Sequence, residues 1–105
     1  PKAVDKTGET PAHKASRYGQ ADCLRMLLEA GADLKAVTKH GWTPAHFASY
    51  KGHAGCLRML LEAGADVNAV TKTGGTPAHC AIKFGKADCL RMLLEAGADP
   101  KAVDK

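Results

Sequence analysis

The sequence has no apolar run long enough to span a membrane, and it does not open with a charged segment followed by an apolar one. These absences predict a chain with neither a membrane-spanning helix nor a leader peptide. Aromatic residues are scarce, at 5% of 105 positions, so the few that occur are informative by their place. The remaining composition is that of an ordinary globular protein and argues against disorder.

The sequence also lacks the motifs of common catalytic and cofactor sites. It has no Cys-x-x-Cys pair, no Gly-x-Gly-x-x-Gly or Gly-Lys-Ser/Thr phosphate loop, and no nucleophile elbow around Ser16 or Ser49. His79 and Cys80 are adjacent, but consecutive residues of a helix point to different sides. We therefore predict a protein that is not an enzyme and that binds no metal, cofactor or small-molecule substrate.

The excess of positive over negative charge in the sequence is small. The formal net charge of +4 is the balance of 15 Lys and Arg against 11 Asp and Glu. The lysines are scattered along the chain instead of forming one dense patch, which argues against a nucleic-acid partner.

What the sequence does contain is repetition at an interval of 33 residues. The tetrapeptide Thr-Pro-Ala-His begins at Thr10, Thr43 and Thr76. The block Cys-Leu-Arg-Met-Leu-Leu-Glu-Ala-Gly-Ala-Asp recurs unchanged at Cys23–Asp33, Cys56–Asp66 and Cys89–Asp99. This period predicts one domain over residues 1–105, built from stacked repeats at about 5–37, 38–70 and 71–103.

Each repeat is predicted to contain two helices. Thr10 before Pro11 is typical of a helix start, because the hydroxyl caps the first turn and proline lacks an N–H that would stay unbonded there. This helix should end before Gly19, and the second should run from about Ala21 to Ala30. Glycines just before each Thr-Pro pair predict a tight hairpin-type turn with positive φ; they are Gly8, Gly41 and Gly74.

The second helix is apolar over a wide arc. At about 100° per residue, its Cys, Leu, Met and Ala side chains cover roughly 200°, whereas a helix on a single core needs only a little over about 100°. Such an arc must be covered by the helices of adjacent repeats as well as by its own partner helix. The pattern therefore predicts an all-α solenoid.

The unit resembles the ankyrin repeat over essentially the whole chain, in its turn glycine, Thr-Pro-Ala-His, mid-unit glycine and Leu-Leu-Glu-Ala-Gly-Ala-Asp. The resemblance implies stacked helix–turn–helix units joined by β-turn or hairpin loops, with the histidine of each tetrapeptide hydrogen-bonding the turn. Alanine replaces the usual leucine after Thr-Pro at Ala12, Ala45 and Ala78. Near-identical repeats are typical of an engineered or consensus array, and recent duplication would leave the same sequence.

The four cysteines are predicted to be free. Three occupy equivalent positions, Cys23, Cys56 and Cys89, and packed helices would hold these about 8–10 Å apart, beyond the ~7 Å limit for a disulfide. We expect mostly buried thiols in a reducing, cytoplasmic compartment. Cys80 alone breaks the period and is the first candidate for an exposed thiol.

The residues that differ between repeats are the candidate binding site. They lie just before Thr-Pro and late in the first helix: Thr7, Glu9, Arg17, Tyr18, His40, Trp42, Tyr50, Lys51, Thr73, Gly75, Lys83 and Phe84. By resemblance, these positions line the concave groove of ankyrin arrays, where aromatic and basic side chains suit a protein partner. Trp42 and Tyr50 are the strongest candidates, and the basic residues favour an acidic epitope.

Other interpretations stay open. The variable residues could differ because nothing constrains them, in a structural array without a cognate ligand. Such an array could self-associate head to tail through its matching segments Pro1–Lys6 and Pro100–Lys105, with Lys14 as a partial cap. By resemblance, the turn containing Asn68 is also similar to those that are hydroxylated on asparagine in cytosolic ankyrin proteins.

Overall fold

The protein is described here from a computed structural model, which describes residues 7–99. These residues contain six α-helices and no β-strand. In chain order the helices are α1 Pro11–Arg17, α2 Ala21–Glu29, α3 Pro44–Lys51, α4 Ala54–Glu62, α5 Pro77–Lys83 and α6 Ala87–Glu95. The predicted helix pair per repeat is confirmed. The matching segments Pro1–Lys6 and Pro100–Lys105 lie outside the described residues.

The first helix of each repeat begins at the predicted Thr-Pro pair. In the first repeat, Thr10 is the N-cap, and its hydroxyl accepts a hydrogen bond from the backbone N–H of His13 at 3.3 Å. The backbone N–H of Thr10 in turn donates to Nδ1 of His13 at 3.0 Å. Two N–H groups that a helix start leaves unbonded are thus both satisfied.

The predicted turns before Thr-Pro also form. Gly41 has φ of 81°, a conformation that residues with a Cβ rarely adopt. A Cβ at this position would lie 2.9 Å from the backbone nitrogen of Lys72, so neighbouring turns pack too closely for a side chain. The backbone N–H of Lys72 donates to the carbonyl of His40 at 3.0 Å, which ties the two turns together.

The helices stack in two rows, with α1, α3 and α5 in one row and α2, α4 and α6 in the other. The inner row packs through small residues, and the fully buried alanines include Ala45, Ala48 and Ala81. Leu57 and Leu60 of α4 are also fully buried. The alanines that replace the usual leucine therefore allow the inner helices to approach closely, and the core is thin and continuous along the stack.

The thiols are free, as predicted, but the expected order of exposure is wrong. Cys56, Cys80 and Cys89 are buried, whereas Cys23 is exposed. Cys80 is therefore not the accessible thiol, and burial raises its pKa to about 11. Cys23 is exposed because it occupies a side of the first repeat that, in repeats two and three, faces the preceding repeat.

Within residues 7–99, no helix has the length and apolar character that crossing a membrane requires.

Candidate functional site

One side of the stack carries a groove of about 510 Å³, formed by the inner helices and the turn tips. We call it the concave groove. Ten of the twelve predicted site residues line it: Thr7, Glu9, Arg17, His40, Trp42, Tyr50, Thr73, Gly75, Lys83 and Phe84. The two pairs of variable positions singled out from the sequence therefore lie mostly on one surface.

Two predicted site residues do not line the groove. Tyr18, 61% exposed, and Lys51 occupy the same position of their repeats as Phe84 does in the third. The ring of Phe84 packs on Tyr50 with 4.5 Å between ring centres, and this contact places it in the groove. The guanidinium of Arg17 instead lies over the ring of Tyr18, with 5.4 Å between Cζ of Arg17 and the centre of the ring.

Four aromatic rings form the apolar floor of the groove. The ring of Trp42 lies 5.0 Å from Phe47 and 5.7 Å from Tyr50, and Tyr50 continues the contact to Phe84. We call Phe47, Trp42, Tyr50 and Phe84 the aromatic row. Such edge-on and tilted contacts hold aromatic rings in a defined geometry.

Trp42 is half-buried at its turn tip. Its contacts with Phe47 and with the ring of His46, at 5.6 Å, explain how the turn tolerates a large apolar side chain. Phe47 was missed by the sequence comparison. It is the one aromatic residue outside the variable pairs. Its position is occupied by Lys14 in the first repeat and by Cys80 in the third, and this variation could have identified it as a site residue.

A buried carboxylate lies at one end of the groove. Glu9, whose side chain is only 8% exposed, accepts hydrogen bonds from Nη1 of Arg17 at 2.9 and 3.2 Å. The hydroxyl of Thr7 also donates to Glu9, at 3.3 Å. The positive charge of Arg17 is therefore paired within the protein, which leaves Lys83 as the predicted site cation in the groove that can meet a partner.

The histidines connect each repeat to the next. Because Nδ1 of His13 and His46 accepts a hydrogen bond from the N-cap N–H, Nε2 carries the proton. Nε2 of His13 donates to the carbonyl of Trp42 at 2.8 Å, and Nε2 of His46 donates to the carbonyl of Gly75 at 3.1 Å. The implied role in the turn is confirmed, and the structure adds a bond to the following repeat. Burial lowers the pKa of His46, so its neutral form is favoured.

His79 departs from this pattern. Its backbone N–H donates to the Thr76 hydroxyl at 3.1 Å, but its ring does not complete the reciprocal bond. Its Nδ1 is buried and has no hydrogen-bond partner in the part of the chain that the structure describes. His79 and the neighbouring Cys80 instead line the concave groove.

Two threonines that sequence comparison did not single out shape the turn tips. Thr38 accepts hydrogen bonds at its hydroxyl from the backbone N–H groups of His40 and Trp42, both at 3.2 Å. Thr71 accepts one from Gly75 at 3.1 Å in the next turn. The recurrence of threonine at an interval of 33 residues was the signal that could have identified them.

The arrangement suits binding through an apolar floor with polar edges. Within residues 7–99, no group of three His, Cys, Asp or Glu side chains is placed to hold a metal ion. The Cys80 thiol beside His79 stays protonated near neutral pH because burial raises its pKa to about 11.

Comparison with known proteins finds the same type of repeat that the sequence resembles. The sequence model described as ankyrin repeats in three copies matches residues 1–71 and, in a second alignment, residues 35–104. Among curated proteins, the Neurogenic locus Notch protein of Drosophila melanogaster is 57% identical to this chain over 30 residues. That match covers 29% of this chain and 1% of the Notch protein, so the chain corresponds to a small part of that relative.

Proposed function

Because the chain belongs to the ankyrin-repeat family, we propose that it is a non-enzymatic scaffold that binds a protein partner in the concave groove. Ankyrin repeats are in general protein-interaction modules, and the stack of α-helices on which this groove lies is the family fold. The proposal adds a location and a chemistry to that general role.

The observation that carries the proposal is the convergence of the variable residues. Residues that recur in every repeat, such as the buried leucines Leu57 and Leu60, face neighbouring helices. At the two pairs of variable positions before Thr-Pro and late in the first helix, ten of the twelve residues line one groove. A surface that varies over a constant frame is what a binding scaffold needs, because specificity can change without loss of the fold.

The groove favours a partner with apolar and acidic side chains. The aromatic row offers rigid apolar area, and aromatic residues are frequent among the energetically dominant residues of interfaces. Lys83 lies beside it, with its Nζ 5.7 Å from the ring centre of Phe84. Because Arg17 is already paired with Glu9, Lys83 would provide the main attraction for a carboxylate.

Two further expectations belong to this proposal. Four unpaired cysteines are compatible with a reducing, cytoplasmic environment. The near-identical repeats support an engineered or recently duplicated array.

The experiment uses a random peptide library displayed on phage, selected against the full chain. Enriched peptides are then titrated against two pairs of variants. The groove variants are Phe84→Ala and Lys83→Glu, and the matched controls outside the groove are Tyr18→Ala and Lys51→Glu. We expect the groove variants to weaken binding at least tenfold, as loss of an interface anchor does, and the controls to change it little.

All four side chains are exposed, so thermal unfolding should show similar stability for the four variants. Peptides that bind the groove variants and the controls equally well would contradict the proposed site. Failure to enrich any peptide would favour the alternative of a structural array without a ligand.

A further inference from the structure

The two junctions between repeats use the same positions. The cysteine of the second helix faces the preceding repeat, since Sγ of Cys56 lies 3.9 Å from the Ala15 carbonyl and Sγ of Cys89 lies 3.9 Å from the Ala48 carbonyl. The histidine of the first helix faces the following repeat, as the bond from His13 to Trp42 shows. Each repeat therefore has a leading face, which contacts the repeat before it, and a trailing face, which contacts the repeat after it.

Within residues 7–99, two faces of the stack have no repeat packed on them, and the leading face of the first repeat is one of them. Cys23 is exposed and Met26 is 67% exposed, whereas the equivalent Cys56 is buried and Met59 is half-buried. The second helix of this face has the same Cys, Met and Leu residues as the internal leading faces. The face differs from that of the second repeat at Lys14, which is exposed where the second repeat has Phe47. It also has Gln20 in place of His53, whose Nε2 donates to the Arg17 carbonyl at 3.1 Å.

The trailing face of the third repeat is uncovered as well. Ile82 is 43% exposed and Leu94 is 42% exposed. The residues equivalent to Ile82, Ser16 and Ser49, are fully buried at the internal junctions. The face of the third repeat is thus apolar at a position where the internal faces carry a hydroxyl.

His79 shows what this face lacks. At both internal junctions, Nε2 of the histidine donates to the backbone carbonyl of a residue two before the next Pro. The residue at this position in the first repeat is Glu9, 33 residues before Trp42. The carbonyl of Glu9 in a second copy, stacked with the same geometry, would lie within reach of His79. The ring could then turn so that Nδ1 accepts from the Thr76 N–H, as in His13 and His46.

We infer that this chain binds a second copy of itself head to tail, the trailing face of the third repeat stacking on the leading face of the first. The same two faces that build the internal junctions build this one, so the contact continues the stack. It is heterologous, meaning that each copy keeps one open face and growth need not stop at a dimer. Lys14 makes the junction weaker than an internal one because its ammonium must reach solvent at the edge. This inference goes beyond the proposed groove binding and uses different faces.

Sedimentation velocity on the full chain over a wide concentration range, with reductant present, tests the inference. Met26→Arg places a charge on the leading face, and Leu94→Arg places one on the trailing face. Either charge would be buried without a partner in a head-to-tail junction, which is unfavourable. Both positions are exposed in the single chain, so the variants should fold. Ile82→Arg replaces Leu94→Arg if thermal unfolding shows a loss of stability.

The wild-type chain should rise in mass with concentration beyond twice the 11.0 kDa of one chain. Each variant alone should remain at 11.0 kDa. An equal mixture of the two should reach a dimer and stop, because only one intact trailing face and one intact leading face can meet.

Three results would overturn the inference. One is a wild-type chain that stays monomeric at all concentrations. A second is an oligomer that persists in one variant and disappears in the other, which indicates contact between two like faces. The third is growth only without reductant and only with Cys23 intact, which indicates a disulfide between leading faces.

Discussion

The first and second repeats have the same eleven-residue block, which begins in the second helix and continues past its end, in different environments. In the second repeat, Cys56 is 1% exposed and Leu60 is fully buried. In the first, Cys23 is exposed and the equivalent Leu27 is half-buried. The helices have nearly the same bounds within their repeats, so local conformation does not explain the contrast. The difference is the neighbour: within residues 7–99, the second repeat has one on both faces and the first on one.

This comparison shows that the wide apolar arc of the second helix is an adaptation to stacking. A repeat can bury the whole arc only between two other repeats. Where no neighbour is present within residues 7–99, the same residues form an exposed apolar surface, which is the surface that we propose for association. The concave groove differs, because most of its predicted residues vary between repeats.

The largest predicted contrast is in stability. Leu60→Ala should lower the free energy of unfolding by about 2–5 kcal/mol, because a fully buried leucine leaves a cavity. Leu27→Ala, at the equivalent position of the first repeat, should lower it by about 1–2 kcal/mol because the side chain is half-buried. Urea unfolding of both variants measures the difference. Equal losses would show that burial in the stack does not set the contribution of this leucine.

The second predicted contrast is in thiol reactivity. Under native conditions, Ellman's reagent should modify Cys23 rapidly and Cys56 slowly, because Cys23 is exposed, whereas burial raises the pKa of Cys56 and restricts access. Cys80, with its pKa raised to about 11, should have about a hundredfold less thiolate than an ordinary thiol. Cys23→Ser should remove the fast phase and Cys56→Ser should keep it. More than one fast thiol per chain would refute the assignment.

The smallest predicted contrast is in the pH dependence of stability, between the wild type and a variant that lacks the buried His46. Burial lowers the pKa of His46 below its ordinary value of 6.5. As pH falls below about 6.5, the unfolded chain therefore gains a proton at this site before the folded protein does. Stability should decrease from that point until the folded-state pKa is reached, by up to about 1.4 kcal/mol per pH unit.

The variant His46→Gln should have a flatter dependence than the wild type in this pH range, as measured by urea unfolding at a series of pH values. A pH dependence that His46→Gln leaves unchanged would contradict its assignment to this histidine.

Much of the frame was predictable from local sequence signals. Thr10 and Pro11 specify the first helix start through a side-chain cap and the missing N–H, and Gly41 specifies a turn through positive φ. These are short-range effects, so they recur wherever the residues recur. The candidate site was also largely predictable, because comparison of equivalent positions separates residues that hold the stack from residues that do not.

The errors concern residues whose surroundings come from other repeats. Cys80 was expected to be the exposed thiol because it is unique in sequence, but it is buried, and Cys23 is exposed. Phe84 lines the groove and Tyr18 does not, although they occupy equivalent positions. Neither a residue that is unique at its position nor a residue that is equivalent between repeats indicates by itself which side chains will pack against it.

The sequence by itself determined the repeat length, the helix starts, the turn glycines and the family, since each depends on residues close together in the chain. The tertiary structure alone decided which copy of each repeated residue is buried. It also decided which histidine has, among residues 7–99, a buried Nδ1 without a hydrogen-bond partner. It also decided that the aromatic row is continuous from Phe47 to Phe84. The physical reason is that burial, ring packing and hydrogen bonding across a junction depend on the neighbouring repeat, and identical repeats do not have identical neighbours.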